Sequence, residues 1–218
     1  MFINIHSHRA AKSNEWTIQN LNRGFGHTTQ AGIYSIGLHP WYIEEMSWPE
    51  QFSQLKKYST QEQVVAIGEC GLDKVCTTNF SLQQEVFTAQ LLWANEINKP
   101  LIIHCVRAFD EVLQLLADNN NKVPVVFHGF NKNRQLAEKI MLQGHWLSFG
   151  KAVLNPGKAE LFSAVPDHRF FLETDDTAIS IASLYKSAAE IKQISIEQLS
   201  LQLSKNVQTV FNKTVMEK

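Results

Sequence analysis

Two histidines one residue apart, His6 and His8, close and follow an apolar run at residues 2–6. A strand sends alternate side chains to the same face, so both imidazoles can grip one cation. A short His-x-His pair also arises by chance, and on its own it reads equally as surface decoration. Four further residues change its weight. Glu69 ends Val-Val-Ala-Ile-Gly-Glu, His104 ends Pro-Leu-Ile-Ile-His, His128 ends Pro-Val-Val-Phe-His, and Asp175 follows Phe-Phe-Leu-Glu-Thr. A carboxylate after a run of uncharged residues is costly to bury alone; a cation removes that cost, and a salt bridge to Lys or Arg is the structural alternative. Singly, His104 and His128 read as core histidines bonded to backbone, and Asp175 as a helix cap. Together the six offer imidazole nitrogens and carboxylate oxygens, donors that suit zinc, manganese or iron(II) better than calcium. They exceed the need of one tetrahedral ion. A bridging carboxylate and two ions about 3.5–4 Å apart would use them all and leave a position for water. Asp175 is the group expected to orient or deprotonate that water.

Substrate-binding groups are expected just past the same run ends. Arg9, Lys74, Arg107, Lys132 and Lys151 could ring one mouth and take the non-bridging oxygens of a phosphate, with Arg107 best suited to bidentate contact and Lys132 beside it. Loops are polar in any case, and Glu44, Glu45, Asp73, Asp110 and Asp176 dilute the field. His39 stands at this mouth with Trp41 and Tyr42. The aromatic pair reads as loop packing, with base stacking as the alternative. His145 and His168 precede their runs, which places them at the opposite, stability face. Cys70 and Cys105 point away from the neighbouring ligands by strand alternation and read as core.

The elements that must position these groups follow from periodicity. Runs at residues 2–6, 33–39, 64–69, 101–105, 124–128, 146–149 and 170–173 are apolar at successive positions, as strands buried on both faces of a parallel sheet are, and 16–20 is a further candidate. Helical spacing recurs at 81–97, where Ser81 is the expected cap, and at 109–118, 133–143, 182–192 and 196–211. Alternating strands and helices imply βα units. Ionisable residues at the C-terminal ends of successive runs favour an α/β fold closed as a (β/α)₈ TIM-type barrel, and no glycine-rich phosphate loop supports an open nucleotide-binding sheet. Only 25 residues separate His8 from Ile33, so the first outer helices are expected to be reduced or missing.

The bulk numbers narrow the classes. A chain of 218 residues, 44% hydrophobic, suits a single domain over 1–218. Its net charge of -1 argues against binding long nucleic acid by electrostatics alone. No charged leader and no long apolar span is evident, so no membrane partner is expected. Three cysteines without CxxC spacing fit a reducing cytoplasm.

In Ile-His-Ser-His, Gly-Leu-His-Pro, Ala-Ile-Gly-Glu-Cys-Gly-Leu-Asp, Ile-Ile-His-Cys, Phe-His-Gly-Phe and Leu-Glu-Thr-Asp, in that order, the chain resembles the TatD family of metal-dependent hydrolases, within the amidohydrolase-like barrels. The resemblance implies that His6, His8, Glu69 and Asp175 hold one metal, with Glu69 shared to a second held by His104 and His128. It also implies phosphodiester hydrolysis, commonly of DNA from a 3′ end. Departures lie around the ligands. Asn4 stands where the family usually has aspartate, Asp176-Thr177-Ala178-Ile179 replaces Ala-Pro and an aromatic residue, Arg107 comes one place late, and Asn131-Lys132 replaces a small hydroxyl residue and glycine.

The expected cofactor is therefore two divalent ions (zinc, manganese or magnesium), with Glu69 and Asp175 catalytic and Arg107, Lys132 and His39 binding a DNA end or a small phosphodiester. The alternatives are hydrolysis of a small amide, lactone or ester, and a barrel that keeps metal for stability without catalysis. Strands lacking outer helices would expose apolar surface, from which a homodimer is expected.

Overall fold

The computed structural model describes residues 1–215. Every apolar run becomes a strand: β1 Phe2–Ser7, β2 Glu15–Leu21, β3 Tyr34–Ile36, β4 Val64–Asp73, β5 Leu101–Val106, β6 Val125–Phe127, β7 Trp146–Phe149 and β8 Phe170–Leu172. They form one sheet ordered as in the chain, and β1–β2, β3–β4, β4–β5 and β7–β8 pair in parallel. The helices are α1 Trp48–Ser59, α2 Phe80–Ile97, α3 Phe109–Asp118, α4 Arg134–Leu142, α5 Ala159–Ala164, α6 Ile181–Lys192 and α7 Ile196–Phe211. Between β1 and β3 the only helical element among the described residues is a 3₁₀ turn at Phe25–His27, so the first outer helices are missing as the short spacing requires. No helix is long and apolar enough to cross a membrane among the described residues.

Two elements differ from expectation. Helix α2 is capped by Asn79, whose side chain accepts from the Leu82 amide at 3.1 Å, and Ser81 lies inside the first turn. Helix α1 was hidden by its polarity, since only Leu55 and Ser59 are buried. Pro49 in its first turn and Lys56 and Lys57 in its last nonetheless suit a helix start and end.

The chain's contacts group into two units. One comprises residues 1–19 together with the chain from Phe127 onward; the other is residues 20–126. In the first, Phe162 packs edge-to-face on Phe149 and Phe170 with centroids 5.1 and 4.8 Å apart. The Tyr185 hydroxyl accepts from the Ile3 amide at 2.9 Å and ties α6 to β1. Asn206 donates to the Phe170 carbonyl at 2.9 Å and ties α7 to β8. Trp16 of β2 rests against Phe211 of α7, and both Trp16 and Ile18 are buried. On β2 the expected apolar surface is therefore not exposed, because the C-terminal helix covers it at Trp16. None of the large exposed apolar residues lies on β1 to β3, so the premise for a homodimer is not met there.

In the second unit, two buried glutamines of α2 clamp the backbone that carries the chemistry. Gln90 accepts from the Leu38 amide at 2.7 Å and donates to its carbonyl at 3.2 Å, fixing the segment that leads into His39. Gln83 does the same for Asp73, with 2.8 Å to the amide and 3.0 Å to the carbonyl, fixing the end of β4. Glycine makes the adjoining approach possible: a Cβ built on Gly71, at φ +140°, would lie 2.0 Å from the His104 carbonyl oxygen.

Candidate metal centres

In the first unit, β1 delivers His6 and His8, and the residue after Thr174 comes to them through the backbone. The Asp175 amide donates to the His6 carbonyl at 3.0 Å and the His8 amide to the Asp175 carbonyl at 3.2 Å, a bridge that leaves Asp175 at φ 52°. Its carboxylate Oδ1 then lies 3.5 Å from His6 Nε2 and 3.4 Å from His8 Nε2. These separations are long for hydrogen bonds. They match the roughly 3.3–3.5 Å between two ligand atoms on a tetrahedral ion with bonds of about 2.0–2.2 Å, so the donor set fits a divalent metal. Burial works to raise the Asp175 carboxyl, but the His6 and His8 imidazoles facing it, together with the charges of His6 and His128, outweigh it and hold it well below the usual carboxylate range.

Asn4 explains how this segment stays registered. Its side-chain oxygen accepts from the Thr174 amide at 3.0 Å and its amide donates to the Thr174 hydroxyl at 2.9 Å, which passes its own hydrogen to Ser7 Oγ at 3.2 Å. The amide thus does with two neutral bonds what a carboxylate would do by accepting. His128 stacks 4.3 Å from the His6 ring, centroid to centroid. Its Nδ1 lies 3.3 Å from Glu173 Oε1, an oxygen that also accepts from the Gly129 amide at 2.7 Å. Glu173 is wholly buried, and its Oε2 has no hydrogen-bond partner among the described residues.

The second unit holds another cluster. Glu69 lies within β4 and not at its end, because the strand continues through a register shift between Ile67 and Cys70 to Asp73. Its amide donates to Asn20 Oδ1 at 2.8 Å, and Asn20 Nδ2 donates to Oε2 at 3.3 Å. Oε1 faces His39 Nε2 at 3.1 Å and His104 Nδ1 at 2.9 Å. The other nitrogen of His104 faces Asp73 Oδ2 at 3.0 Å. A neutral imidazole has one N–H, yet His104 stands between two acceptor-only carboxylates. One contact requires a second proton or a cation. Asp73 is well placed to take the N–H: its Oδ2 also accepts from the Trp41 indole at 2.7 Å and its Oδ1 from the Val75 amide at 2.8 Å. Burial opposes the charge on Asp73, and the bonds from Trp41 and His104 more than restore it, lowering its pKa. That leaves the His104 Nδ1 lone pair aimed at Glu69, the arrangement of a metal-ligating histidine oriented by a carboxylate behind it.

His39, Glu69 and His104 offer ligand atoms within 4.8 Å of one another. His39 differs from the other two in one respect. Its Nδ1 accepts from the Trp41 amide at 3.1 Å, so the neutral ring carries its hydrogen on Nε2 and donates to Glu69. Chemically His39 is better suited to steering that carboxylate than to holding an ion or a substrate.

The cations are less concentrated than expected. Lys74 pairs with Glu111, Arg9 donates to the Asp176 carbonyl at 3.2 Å, and Arg107 is exposed at φ 54°. A cavity of about 720 Å³ in the first unit is lined by Asp175, Glu173, Asn131, Asn155, Lys151 and Lys158, among others. Lys132 does not line it; its carbonyl accepts from Lys158 Nζ at 3.0 Å. Lys158, Asp73, Glu173 and Asn20 were missed in the sequence because each acts through another residue or sits far from a run end. The Leu-Glu-Thr-Asp and Gly-Leu-Asp segments already contained the two carboxylates.

A family model described as TatD related DNase matches residues 11–212. A metal-dependent hydrolase of unestablished role from Buchnera aphidicola is 32% identical over 83% of this chain and 74% of its own length. A 3′-5′ ssDNA/RNA exonuclease TatD from Klebsiella pneumoniae is 36% identical over 66% of this chain and 57% of its own length. Among solved structures, a TatD homologue of Escherichia coli K12 superposes with a TM-score of 0.82 at 22% identity, covering 97% of this chain and 98% of the other. That likeness shows the fold, a (β/α)₈ TIM-type barrel. With a sequence model spanning nearly all its length, the chain belongs to the TatD-related DNase family of metal-dependent hydrolases.

Proposed function

We propose that the chain, acting as one cytoplasmic domain over residues 1–218, hydrolyses phosphodiester bonds at nucleic-acid ends, using divalent metal held by His6, His8, Glu69, His104, His128 and Asp175. The exonuclease name carried by the Klebsiella pneumoniae relative supports that substrate class. The observation that supports the metal reading is His104, set between the carboxylates of Glu69 and Asp73 at 2.9 and 3.0 Å, a position that needs either a second proton or a cation beyond the single N–H of its neutral ring. Two ions, of zinc, manganese or magnesium, would use the whole donor set. Bound metal supplies Lewis acidity, which acidifies water and offsets the charge that grows on phosphoryl oxygens.

The chain's own residues do the rest. Asp175, held ionised by His6 and His8, orients and accepts a proton from the attacking water. Glu69 is held by Asn20 and His39 and would supply a carboxylate to bound metal. Lys151 and Lys158 line the cavity that also holds Asp175 and are the cations offered to a phosphate there, with Arg107 and Lys132 outside its lining.

A second reading, hydrolysis of a small amide, lactone or ester, is favoured by the cavity wall. Asp176, Thr177 and Ile179 line it where the resemblance calls for Ala-Pro and an aromatic residue. The deciding assay is release of nucleotides from end-labelled single-stranded DNA with Mg²⁺, Mn²⁺ or Zn²⁺, for wild type and Glu69→Ala. Metal-dependent release lost in the variant supports the nuclease. No release from folded, metal-loaded protein, with turnover of a lactone or ester instead, moves the function to the second reading.

A further inference from the structure

Trp41 is the residue the chemistry above leaves unexplained. It follows His39-Pro40 in a short 3₁₀ turn, and both of its N–H groups are committed: the backbone amide to His39 Nδ1 at 3.1 Å and the indole to Asp73 Oδ2 at 2.7 Å. Its ring stands edge-on to His39 and His104, with centroids 5.0 and 5.7 Å away. A tryptophan pinned this firmly should be covered if packing were its purpose, yet it is 55% exposed. The loop-packing reading of the aromatic pair therefore holds for Tyr42, half-buried beneath the Arg23 guanidinium at 4.5 Å, and not for Trp41.

Its surroundings point the same way. Of the seven large apolar side chains exposed among the described residues, those of Trp41, Met46 and Val75 fall in the loops after β3 and β4. Asp73 receives both the Trp41 indole and the Val75 backbone amide, so the Trp41 ring and the backbone at Val75 are fixed to one carboxylate beside His104. The result is a firmly held aromatic face with no Lys or Arg ring contact of its own among those described, standing edge-on to His104. A flat apolar partner with a charged tail suits such a face. In a phosphodiesterase that partner is a nucleobase, which every aromatic platform can stack regardless of sequence.

We propose that Trp41 is the stacking platform for the base of the nucleotide whose phosphodiester is presented to Glu69 and His104. This rests on the phosphodiesterase reading. It makes Trp41 a specificity residue, favouring single-stranded ends, whose bases are free to stack, over base-free phosphodiesters.

The test is binding of a labelled, phosphorothioate-linked single-stranded oligonucleotide, followed by fluorescence anisotropy in Mg²⁺. It compares wild type, Trp41→Ala and Trp41→Phe, each with an intact oligonucleotide and with one whose terminal nucleotide is abasic. Stacking predicts that Trp41→Ala weakens the intact ligand about tenfold or more while Trp41→Phe stays within about threefold of wild type. It further predicts that the abasic ligand binds wild type and Trp41→Ala equally. In turnover of unmodified DNA, the Trp41→Ala loss should appear in KM more than in kcat. Equal losses in Trp41→Ala and Trp41→Phe would overturn the proposal, since both remove the indole N–H that supports Asp73. No loss in Trp41→Ala, or no discrimination against the abasic ligand by wild type, would also overturn it. Failure of wild type to bind or cleave either oligonucleotide would instead strike the phosphodiesterase reading itself.

Discussion

At the residue scale, the proposed metal ligands depend on carboxylates behind them. Asp73 fixes the tautomer of His104, and Glu173 lies behind His128 in the same way. Removing such a support typically costs ten- to hundredfold in metal affinity while leaving the fold intact. Asp73→Asn should therefore weaken metal binding by about that factor in a competition titration with a chromogenic chelator, with little change in melting temperature of the apo protein. Unchanged affinity would mean that His104 is held by its surroundings alone. A histidine outside the site gives a separate prediction. His145 is buried just before β7 beside Phe127, and burial, with Arg169 nearby, pushes its pKa down to about 4 from 6.5. A depressed histidine is protonated more readily in the unfolded chain, so its contribution is complete above pH 6.5 and is lost as the pH falls from 6.5 towards 4. The loss amounts to about 3 kcal/mol at most. A melting-temperature profile should show that acid slope, and His145→Phe should flatten it.

At the scale of elements, strands deliver the ligands and helix side chains hold the strand ends still. Gln90 of α2 satisfies both backbone groups of Leu38, one residue before His39. Gln90→Leu keeps the volume but strands a buried amide and carbonyl, at about 2–4 kcal/mol. The expected result is a lower denaturation midpoint together with reduced hydrolysis, because His39 loses its placement against Glu69. A stability loss with unaltered turnover at low temperature would separate the clamp from the site. Ser195 and Gln198 form a reciprocal capping box on α7, the helix that covers Trp16. Ser195→Ala should cost about 1 kcal/mol and leave metal affinity unchanged, as measured by chemical denaturation and the same titration.

At the scale of the whole molecule, stability and metal are linked. Ions that bind only the folded chain raise its melting temperature with concentration, so dialysis against a chelator should lower it and re-addition of Mn²⁺ or Zn²⁺ should restore it. His104→Ala should remove most of that metal-dependent increment, and a variant that retains it would take His104 out of the ligand set. Much of this was legible in one dimension. Buried parallel strands are written as apolar runs, and each of those runs became a strand, including β2, which follows β1 with no helix between them. The proposed ligands stood out in the same way, because His6, Glu69, His104 and His128 close such runs and His8 and Asp175 follow them, where an ionisable group must have a reason. What the sequence alone could not decide was partnership. That Asp73 and not a backbone carbonyl backs His104, that Trp41 donates its amide to His39 and leaves its face in water, and that Asn4 works through Thr174 all depend on atoms distant in the chain meeting within about 3 Å. Composition and periodicity report how each residue relates to a face of its own element. Hydrogen-bond direction, tautomer and exposure are set by the neighbours that tertiary packing supplies.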